Sequence, residues 1–287
     1  MSLFITSLNS GSNGNCYYVG NGQEAVLVDA GISCRETVRR LQRLGLSMDA
    51  VKAIFVSHEH SDHIRGIPTL AQKYRLPIYA TPATWRHCRI FMPELEVRPF
   101  TGYEPVAIGG LSVTGFPKRH DAAEPHSFVV SGNGVTVGVF TDIGAPCEHL
   151  EAHFSQCQAV FLESNYDEEM LDKGHYPYHL KNRIRGGHGH LSNRQALQFF
   201  LQQRSPDLSH LILAHLSKEN NRPELVEQLF TPHAGTTKVV VASRFEETPL
   251  FRVTAGTAAP LRRPVVRPGS RSKAAPAPDN TVQLSLF

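Results

Sequence analysis

The sequence predicts an α+β domain in which β-sheets are covered by helices. Two observations support this. From residue 1 to about residue 254, short apolar runs of strand length alternate with segments of helical periodicity. In addition, 41% hydrophobic residues in a chain of 287 residues can build a full buried core.

The strand candidates are short runs rich in Val, Ile, Leu, Phe and Tyr. In chain order they are "FITSL", "CYYVG", "AVLVDA", "KAIFVS", "LSVTGF", "SFVVS", "VTVGVFT", "QAVFLES", "LILAH", "KVVVAS" and "LFRVT". Helices are predicted between them. One begins at Ser33, with Glu36 three residues later, and ends near Gly45. Another begins at Ser192, with Gln195 in the same relation, and carries "ALQFFLQQ".

The alternation ends near residue 255, where Pro, Ala, Arg and Ser replace the apolar runs. We predict a folded domain over residues 1–254, a flexible basic linker over 255–281 and a short terminal motif over 282–287. The positive charge resides in the tail: residues 255–287 hold five basic residues and one acidic residue, a net charge of +4, which leaves −1 for residues 1–254 and +3 for the chain. Any contact of the folded domain with a polyanion must therefore come from local basic clusters.

Secreted and membrane proteins are not indicated. The segment "MSLFITSLNSGSNGN" has no basic region before an apolar one, and no apolar run approaches the roughly 20 residues that span a bilayer. Five cysteines without a C-x-x-C pair argue against a disulfide framework and against a cysteine zinc site. We therefore expect a cytoplasmic protein with reduced thiols and no membrane partner.

A cluster of metal-ligand side chains follows the strand run "VKAIFVS". The segment "HEHSDHIRG" carries His58, His60, Asp62 and His63. Residues two apart in an extended segment project to the same side, and Asp62 and His63 follow where the chain turns toward a helix. Imidazole suits zinc, manganese and iron, and the carboxylate favours a hard divalent ion. The pattern predicts one or two transition-metal ions.

This H-x-H-x-D-H pattern resembles the signature of the metallo-β-lactamase superfamily. The resemblance implies an αββα sandwich of two mixed β-sheets flanked by helices, with further metal ligands after later strands. It implies two divalent ions, zinc or manganese, with the ligands in two sets and one bridging aspartate: His58, His60 and His120; Asp62, His63 and His215; and Asp142 between them.

Two neighbouring residues leave alternatives open. His126 lies close enough in sequence to compete with His120, and it stands where many relatives carry a small residue. Asp29, in "VLVDAG", resembles a buried aspartate of the superfamily that orients a ligand imidazole, and a helix-capping role fits it equally well.

The segment between the last two implied ligands resembles the phosphodiesterases of the superfamily. It is too short for the large inserted domain of β-CASP nucleases, and it contains "LESNYD" and "GGHGHLSN". By resemblance, Glu163 supports His190, and both join Asp62 as the expected catalytic residues. A carboxylate neighbour favours the imidazolium that can protonate an alkoxide leaving group. His188 is the alternative proton donor.

Two polar segments are candidates for contact with substrate. "KNRIRGGHGH" contains Lys181, Arg183 and Arg185, whose positive charge favours a phosphate-bearing polymer. A solvated basic helix face explains the same residues equally well. "SLNSGSNGNCYYV" offers Ser12 and Asn13, which can present hydroxyl and N–H groups to an anion. A plain hairpin loop is the alternative for that segment.

Together these motifs resemble the YycJ/WalJ group of the superfamily, bacterial proteins associated with 5′-to-3′ exonuclease activity on DNA and with mismatch repair. The resemblance spans residues 3 to about 221 and implies a hydrolase with a DNA substrate in the nucleoid. An RNA-processing nuclease, a small-molecule hydrolase and a non-catalytic metal-binding module are the alternatives. Seven ligand candidates argue against the last, since a structural zinc needs about four.

The final residues, Gln283-Leu284-Ser285-Leu286-Phe287, resemble the Q-L-[SD]-L-F peptide by which bacterial replication and repair proteins bind the DNA sliding clamp. Two apolar side chains suit a hydrophobic pocket, and a short linear peptide has a limited ordering cost. The resemblance implies recruitment to the clamp through a linker that spans roughly 25–30 Å. An accidental apolar end or an extra strand docked on the domain is the alternative.

Overall fold

The computed structural model describes residues 2–255, which form two seven-stranded sheets. In chain order the strands are β1 (Ser2–Asn9), β2 (Cys16–Gly20), β3 (Ala25–Val28), β4 (Val51–Phe55), β5 (Ile78–Ala80), β6 (Val97–Pro99), β7 (Pro105–Ile108), β8 (Leu111–Pro117), β9 (His126–Gly132), β10 (Val135–Phe140), β11 (Ala159–Glu163), β12 (His210–Ala214), β13 (Lys238–Val241) and β14 (Phe251–Thr254).

Both sheets are mixed, and each contains a run of parallel strands. The first sheet has the order β14-β1-β2-β3-β4-β5-β6 and is parallel from β3 to β6. The second has the order β13-β12-β11-β10-β9-β8-β7 and is parallel from β10 to β13. Parallel neighbours end at the same edge of a sheet, so residues that follow these strands are brought together.

Helices follow or connect the strands. They are α1 (Cys34–Arg43), α2 (Ser61–Ile64), α3 (Ile67–Tyr74), α4 (Pro82–Cys88), α5 (Glu148–Phe154), α6 (Glu168–Lys173), α7 (Tyr178–Arg185), α8 (Asn193–Gln203) and α9 (Pro223–Phe230), with single 3₁₀ turns at Met48–Ala50 and Thr231–His233. The predicted caps are present. Ser33 accepts a hydrogen bond from the N–H of Glu36, and Ser192 and Gln195 form a complete capping box.

The core has three apolar layers. The central layer lies between the sheets, where the Phe55 ring packs edge-on against Phe128 with centroids 5.7 Å apart. A second layer places helix residues such as Leu41 and Leu70 on the outer face of the first sheet. A third places Phe200, with other apolar residues of the helices, on the outer face of the second sheet. This order of layers confirms the predicted αββα sandwich.

Each strand candidate overlaps an observed strand, although some run one or two residues past its end, and β5, β6 and β7 have no candidate. These three have three or four residues each, and β6 and β7 lie at the sheet edges and contain proline, which weakens the sequence signal. Within residues 2–255 no helix is long and apolar enough to cross a bilayer. Apart from Ala255, the predicted linker and the terminal motif lie outside the described residues.

Candidate metal centre

The loop from β4 to α2 places four of the predicted ligands side by side. His58 Nε2 lies 3.1 Å from His60 Nδ1, and the His58 and His63 ring centroids are 4.0 Å apart. His63 Nε2 is 3.4 Å from Asp62 Oδ2. His58 and His63 are fully buried. One short segment at the end of a buried strand thus brings nitrogen and carboxylate ligands close together.

Asp29 orients two of these imidazoles from behind. The residue follows β3 with a φ of 61°, and its carboxylate accepts hydrogen bonds from the N–H and the hydroxyl of Ser57, both at 2.8 Å. It also lies 2.7 Å from His63 Nδ1, and Ser57 Oγ lies 2.9 Å from His58 Nδ1. With their Nδ1 atoms engaged, both rings can turn Nε2 toward a metal. Ser33, and not Asp29, caps α1.

The second sheet delivers ligands one at a time. His120 follows β8, Asp142 follows β10 and His215 follows β12. Asp142 Oδ2 lies 3.4 Å from His63 Nε2, and Asp142 Oδ1 lies 3.4 Å from His215 Nε2 and 3.9 Å from His120 Nε2. Asp142 and His215 have φ values of 57° and 58°, a left-handed conformation that is costly for such residues and typical of functional sites.

Among the described residues, four groups of potential ligand atoms lie within 4.8 Å of one another. One joins His58, His63 and Asp142, and another joins Asp142, Glu163, His190 and His215. The other two have the members of the sets that the resemblance implied: His58, His60 and His120 in one; Asp62, His63 and His215 in the other. Asp142 Oδ1 and Oδ2 lie between them. His126 is outside all four groups. Its Nδ1 lies 2.9 Å from the Glu124 carbonyl, and its ring packs against Phe100.

A buried carboxylate connects His190 to His215. Glu163 Oε1 lies 2.8 Å from His190 Nδ1 and 3.1 Å from His215 Nδ1. Its other oxygen accepts hydrogen bonds from the N–H groups of Ile143 and Leu191, at 2.8 and 3.1 Å. His188 is exposed to solvent. The structure therefore places His190, rather than His188, against Glu163.

The charges of the site favour ionised carboxylates. Burial raises the pKa of the Glu163 carboxyl, but the nearby His190 and His215 lower it to about 2. Burial also opposes charge on Asp142, yet His215, His63 and Lys118 hold its pKa well below the usual range. In return, burial lowers the pKa of His215, but Asp142 and the neighbouring carboxylates raise it to about 10. A metal that binds His215 must therefore displace a proton.

Three polar residues of the site were missing from the sequence prediction. Asn15 Nδ2 donates to Asp62 Oδ2 at 3.1 Å, and Asn165 Nδ2 donates to the His215 carbonyl at 2.7 Å. Lys118 is buried, donates to the Thr141 carbonyl at 2.7 Å and lies 4.0 Å from Asp142. Both asparagines lie in segments noted for composition, "SLNSGSNGN" and "LESNYD", but asparagine in a loop gives no signal of its contacts.

The predicted substrate-contact residues occupy different positions. Arg183, on α7, pairs with Asp121 beside the metal ligands. Lys181 and Arg185 both contact Asp172, through its carbonyl at 2.7 Å and its carboxylate at 2.9 Å. α7 buries none of its residues, so its charged face is available to a ligand. Ser12 is exposed, and Asn13 donates to the Arg244 carbonyl at 2.9 Å.

Comparison with known proteins agrees with this geometry. Residues 24–215 match the model of the β-lactamase superfamily domain. The chain belongs to this superfamily, which is one of metal-dependent hydrolases. It is 37% identical to exodeoxyribonuclease YycJ of Bacillus anthracis over 228 residues, which cover 78% of this chain and 86% of the relative. It is 29% identical to exodeoxyribonuclease WalJ of Streptococcus pneumoniae over 259 residues, which cover 88% of this chain and 95% of the relative.

Solved structures share the fold of this superfamily member. YhfI of Bacillus subtilis, a metallo-β-lactamase fold protein, superposes with a TM-score of 0.66 at 17% identity, over 86% of this chain and 99% of that protein. Zinc-bound PqqB of Methylobacterium extorquens superposes with a TM-score of 0.65 at 17% identity, over 86% and 99%. At such identities the likeness concerns the fold alone.

The donor set fits divalent metal ions. His120 Nε2 and Asp142 Oδ2 are buried, and neither has a hydrogen-bond partner among residues 2–255. Buried polar atoms without a partner are costly, and a cation between them would satisfy both. Imidazoles that crowd to 4–6 Å and share anionic carboxylates are the ligands of zinc and manganese sites. The superfamily and these side chains therefore imply divalent metal ions.

Proposed function

We propose that the chain is a two-metal phosphodiesterase that degrades DNA from its 5′ end. The observation that carries the proposal is the position of Glu163, which bonds both His215 of the implied metal set and His190 beside it. A thioester releases a thiolate that departs without a proton, whereas a phosphodiester whose leaving group is an alkoxide needs a proton donor. The names of the two exodeoxyribonucleases above support DNA as the substrate.

The chain's own residues have separable tasks in this proposal. Divalent ions, zinc or manganese, would supply Lewis-acid polarisation of the phosphate and would lower the pKa of water when bound. The seven ligands Asp62, Asp142, His58, His60, His63, His120 and His215 hold them. Glu163, kept anionic, fixes His190 through Nδ1, so that Nε2 is free to act as the proton donor. His190 Nε2 then gives its proton to the departing 3′-oxygen of the released nucleotide. Arg183 and its neighbours on α7 attract the phosphate backbone.

Labelled oligonucleotides test the proposal. Purified protein is incubated with Mn²⁺ or Zn²⁺ and with 5′-labelled or 3′-labelled DNA and RNA, single-stranded and duplex. We expect the 5′ label to appear at once as a mononucleotide, while the 3′-labelled strand shortens progressively. His190→Ala, which leaves the ligand set intact, is the control against a contaminating nuclease. Preference for RNA, shortening from the 3′ end, or the same rate in the variant would contradict the proposal.

We further propose that the terminal peptide directs the enzyme to the sliding clamp and thereby to mismatch repair at nascent DNA. The support is the five-residue match of Gln283-Leu284-Ser285-Leu286-Phe287, together with the basic linker before it. A tether raises the local concentration of enzyme without new substrate contacts. Changing Leu286 and Phe287 to Ala should abolish clamp binding in a pull-down and leave cleavage of free DNA unchanged. Undiminished clamp binding by that variant would disprove the tether.

A further inference from the structure

A cleft adjoins the metal centre at the same edge of the sandwich. It has a volume of about 380 Å³ and lies where β1, β12 and β13 end, between Ser10, Leu216, Lys218, Val241, Arg244 and Phe245. β13 is the parallel neighbour of β12, which ends next to His215. Neighbouring strands are about 4.8 Å apart, so the cleft begins roughly one strand away from that metal ligand. None of the residues discussed above as ligands or proton donors lines it.

Hydrogen bonds and a shared chain segment connect the cleft to the metal ligand His215. Ser10, in its wall, accepts a hydrogen bond from the N–H of His215 at 2.7 Å through its hydroxyl. Leu216 follows His215 directly, and its carbonyl accepts a hydrogen bond from Arg244 at 2.6 Å. A ligand in the cleft therefore contacts the same short segment that positions a metal ligand.

Phe245 stands at the rim with its backbone fixed and its ring exposed. The carbonyl of Phe245 accepts a hydrogen bond from the buried Arg40 at 2.8 Å, and its N–H donates to Ser243 Oγ at 3.0 Å. Arg40 is itself fixed by the Leu8 carbonyl at 2.7 Å. Nevertheless 78% of Phe245 is exposed. An exposed aromatic ring on a fixed backbone offers a face on which a flat ligand can stack.

The chemistry of the lining selects a nucleotide. The walls from Leu216 and Val241 are apolar, while Lys218 and Arg244 place positive charge at the mouth. Lys218 is 3.7 Å from Glu219, but both side chains are largely exposed, so this pair is weak and leaves Lys218 free to turn to a phosphate. This arrangement suits a nucleotide. Its flat base can lie against the apolar side chains, and its anionic phosphate can lie near the basic side chains.

We propose that this cleft binds the nucleotide adjacent to the scissile phosphodiester, with the Phe245 ring stacked on its base and Lys218 and Arg244 facing its backbone. The inference rests on the proposed function and adds a substrate subsite to it. It makes Phe245 a binding residue for polymeric substrates, with no part in the chemistry of the metal centre.

A double substitution, in protein and in DNA, tests the subsite. Phe245→Ala should lower kcat/KM on single-stranded DNA by about 5- to 150-fold, the range for one lost stacking contact. A single abasic nucleotide is then moved through the first positions of the strand. At one position, the abasic nucleotide should lower kcat/KM of the natural protein by about as much as Phe245→Ala does. At that position it should not lower kcat/KM of Phe245→Ala any further, because the two changes remove the same contact. Phe245→Tyr should restore most of the activity.

Controls separate this subsite from folding and from the proposed function. Phe91→Ala removes a ring that is 90% exposed in the loop after α4 and should change nothing. Bound metal and hydrolysis of bis(4-nitrophenyl) phosphate, which has no base, should be equal in all variants. If the natural protein cleaves DNA and Phe245→Ala cleaves it equally well, or if no abasic position cancels the defect, only the subsite is overturned. If the natural protein cleaves no DNA, the proposed function falls as well.

Discussion

The two sheets contribute to the metal centre in different ways. The first sheet supplies His58, His60, Asp62 and His63 from one loop after β4, backed by Asp29 after β3. The second sheet supplies five side chains from separate positions after or at the ends of its strands and before α8: His120, Asp142, Glu163, His190 and His215. One half of the site is therefore set by local chain geometry. The other half exists only when the parallel strands of the second sheet are in register.

This difference shows which half of the site can bind metal and which half can also position a proton donor. A compact loop can hold a metal, but a proton donor at a fixed distance from that metal needs an independent support. Glu163 provides it, since it ends β11 in the parallel run and contacts both His190 and His215. Asp142 is the point at which the two halves meet, because its two oxygens lie near His63 of the first and His215 of the second.

The largest effect is expected where the halves meet. Asp142→Ala should abolish hydrolysis and reduce the bound metal, because it removes a buried carboxylate that faces both ligand sets. The domain should stay folded by far-ultraviolet circular dichroism. Asp62→Ala, in the first half, should behave alike. Metal analysis and a cleavage assay on the same samples check this, and full metal occupancy with near-normal turnover would break the comparison.

The next largest loss of activity is expected from the proton donor, which belongs to the half of the centre supplied by the second sheet. His190→Ala should keep its metal and slow DNA cleavage by roughly 10²- to 10⁴-fold, the range for loss of a general acid. His188→Ala, two residues away in the same loop and exposed, is the matched control and should be nearly normal. A substrate with a 4-nitrophenolate leaving group should suffer less from His190→Ala, since that group departs without a proton. If His188→Ala gives the defect instead, the assignment is shifted by two residues.

Glu163→Gln should weaken metal binding, which His190→Ala should not. The amide keeps the shape of the side chain but removes the negative charge that contacts His190 Nδ1, and it disturbs the hydrogen bond to His215. We therefore expect a slower enzyme that also binds metal more weakly, measured by competition with a chelator. Unchanged metal affinity would show that Glu163 serves His190 alone.

The pH dependence of metal binding should differ between the two ligand sets. Burial lowers the pKa of His58 well below the usual range and that of His120 to about 4, so both are neutral at pH 7. The pKa of His215 is raised to about 10, so this residue is protonated below pH 10 and must lose a proton to a metal. Affinity at its set should fall about tenfold per unit of decreasing pH for each proton displaced.

Calorimetry in buffers with different ionisation enthalpies measures the protons released. Metal added to metal-free protein at pH 7.5 should release about one proton or more per chain. His215→Ala should release fewer. Activity should likewise decline as the pH falls, because protons compete with the metal for His215 over the whole range below its pKa of about 10. Metal binding without proton release would contradict the difference between the sets.

The smallest effect is expected at the basic helix. Arg183→Ala should weaken DNA binding and reduce the slope of log affinity against log salt by about 1, as for one lost phosphate contact. Lys52→Ala is the matched control, because Lys52 lies at the opposite end of β4 from the ligand loop. Titrations at several salt concentrations measure both. Equal slopes for Arg183→Ala and the natural protein would leave α7 as a solvated face.

The sequence predicts the first half of the centre more fully than the second. His58, His60, Asp62 and His63 lie within one short segment, so their spacing alone indicates a metal site, and the resemblance to the superfamily implies Asp142 and His215 after later strands. The bond from Asn15 to Asp62 depends on how two separate loops meet, and that of Glu163 to His215 depends on the register of β11 and β12. The cleft beside Phe245 also arises only when β1, β12 and β13 end together. Such contacts between distant segments leave no local pattern.

A titration of metal-free protein with Mn²⁺ or Zn²⁺, followed by the rate of nucleotide release from DNA, tests the two-part centre most directly. We expect activity to need both ligand sets and to rise until about two ions are bound per chain. Full activity at one ion per chain, or cleavage by the metal-free protein, would contradict it.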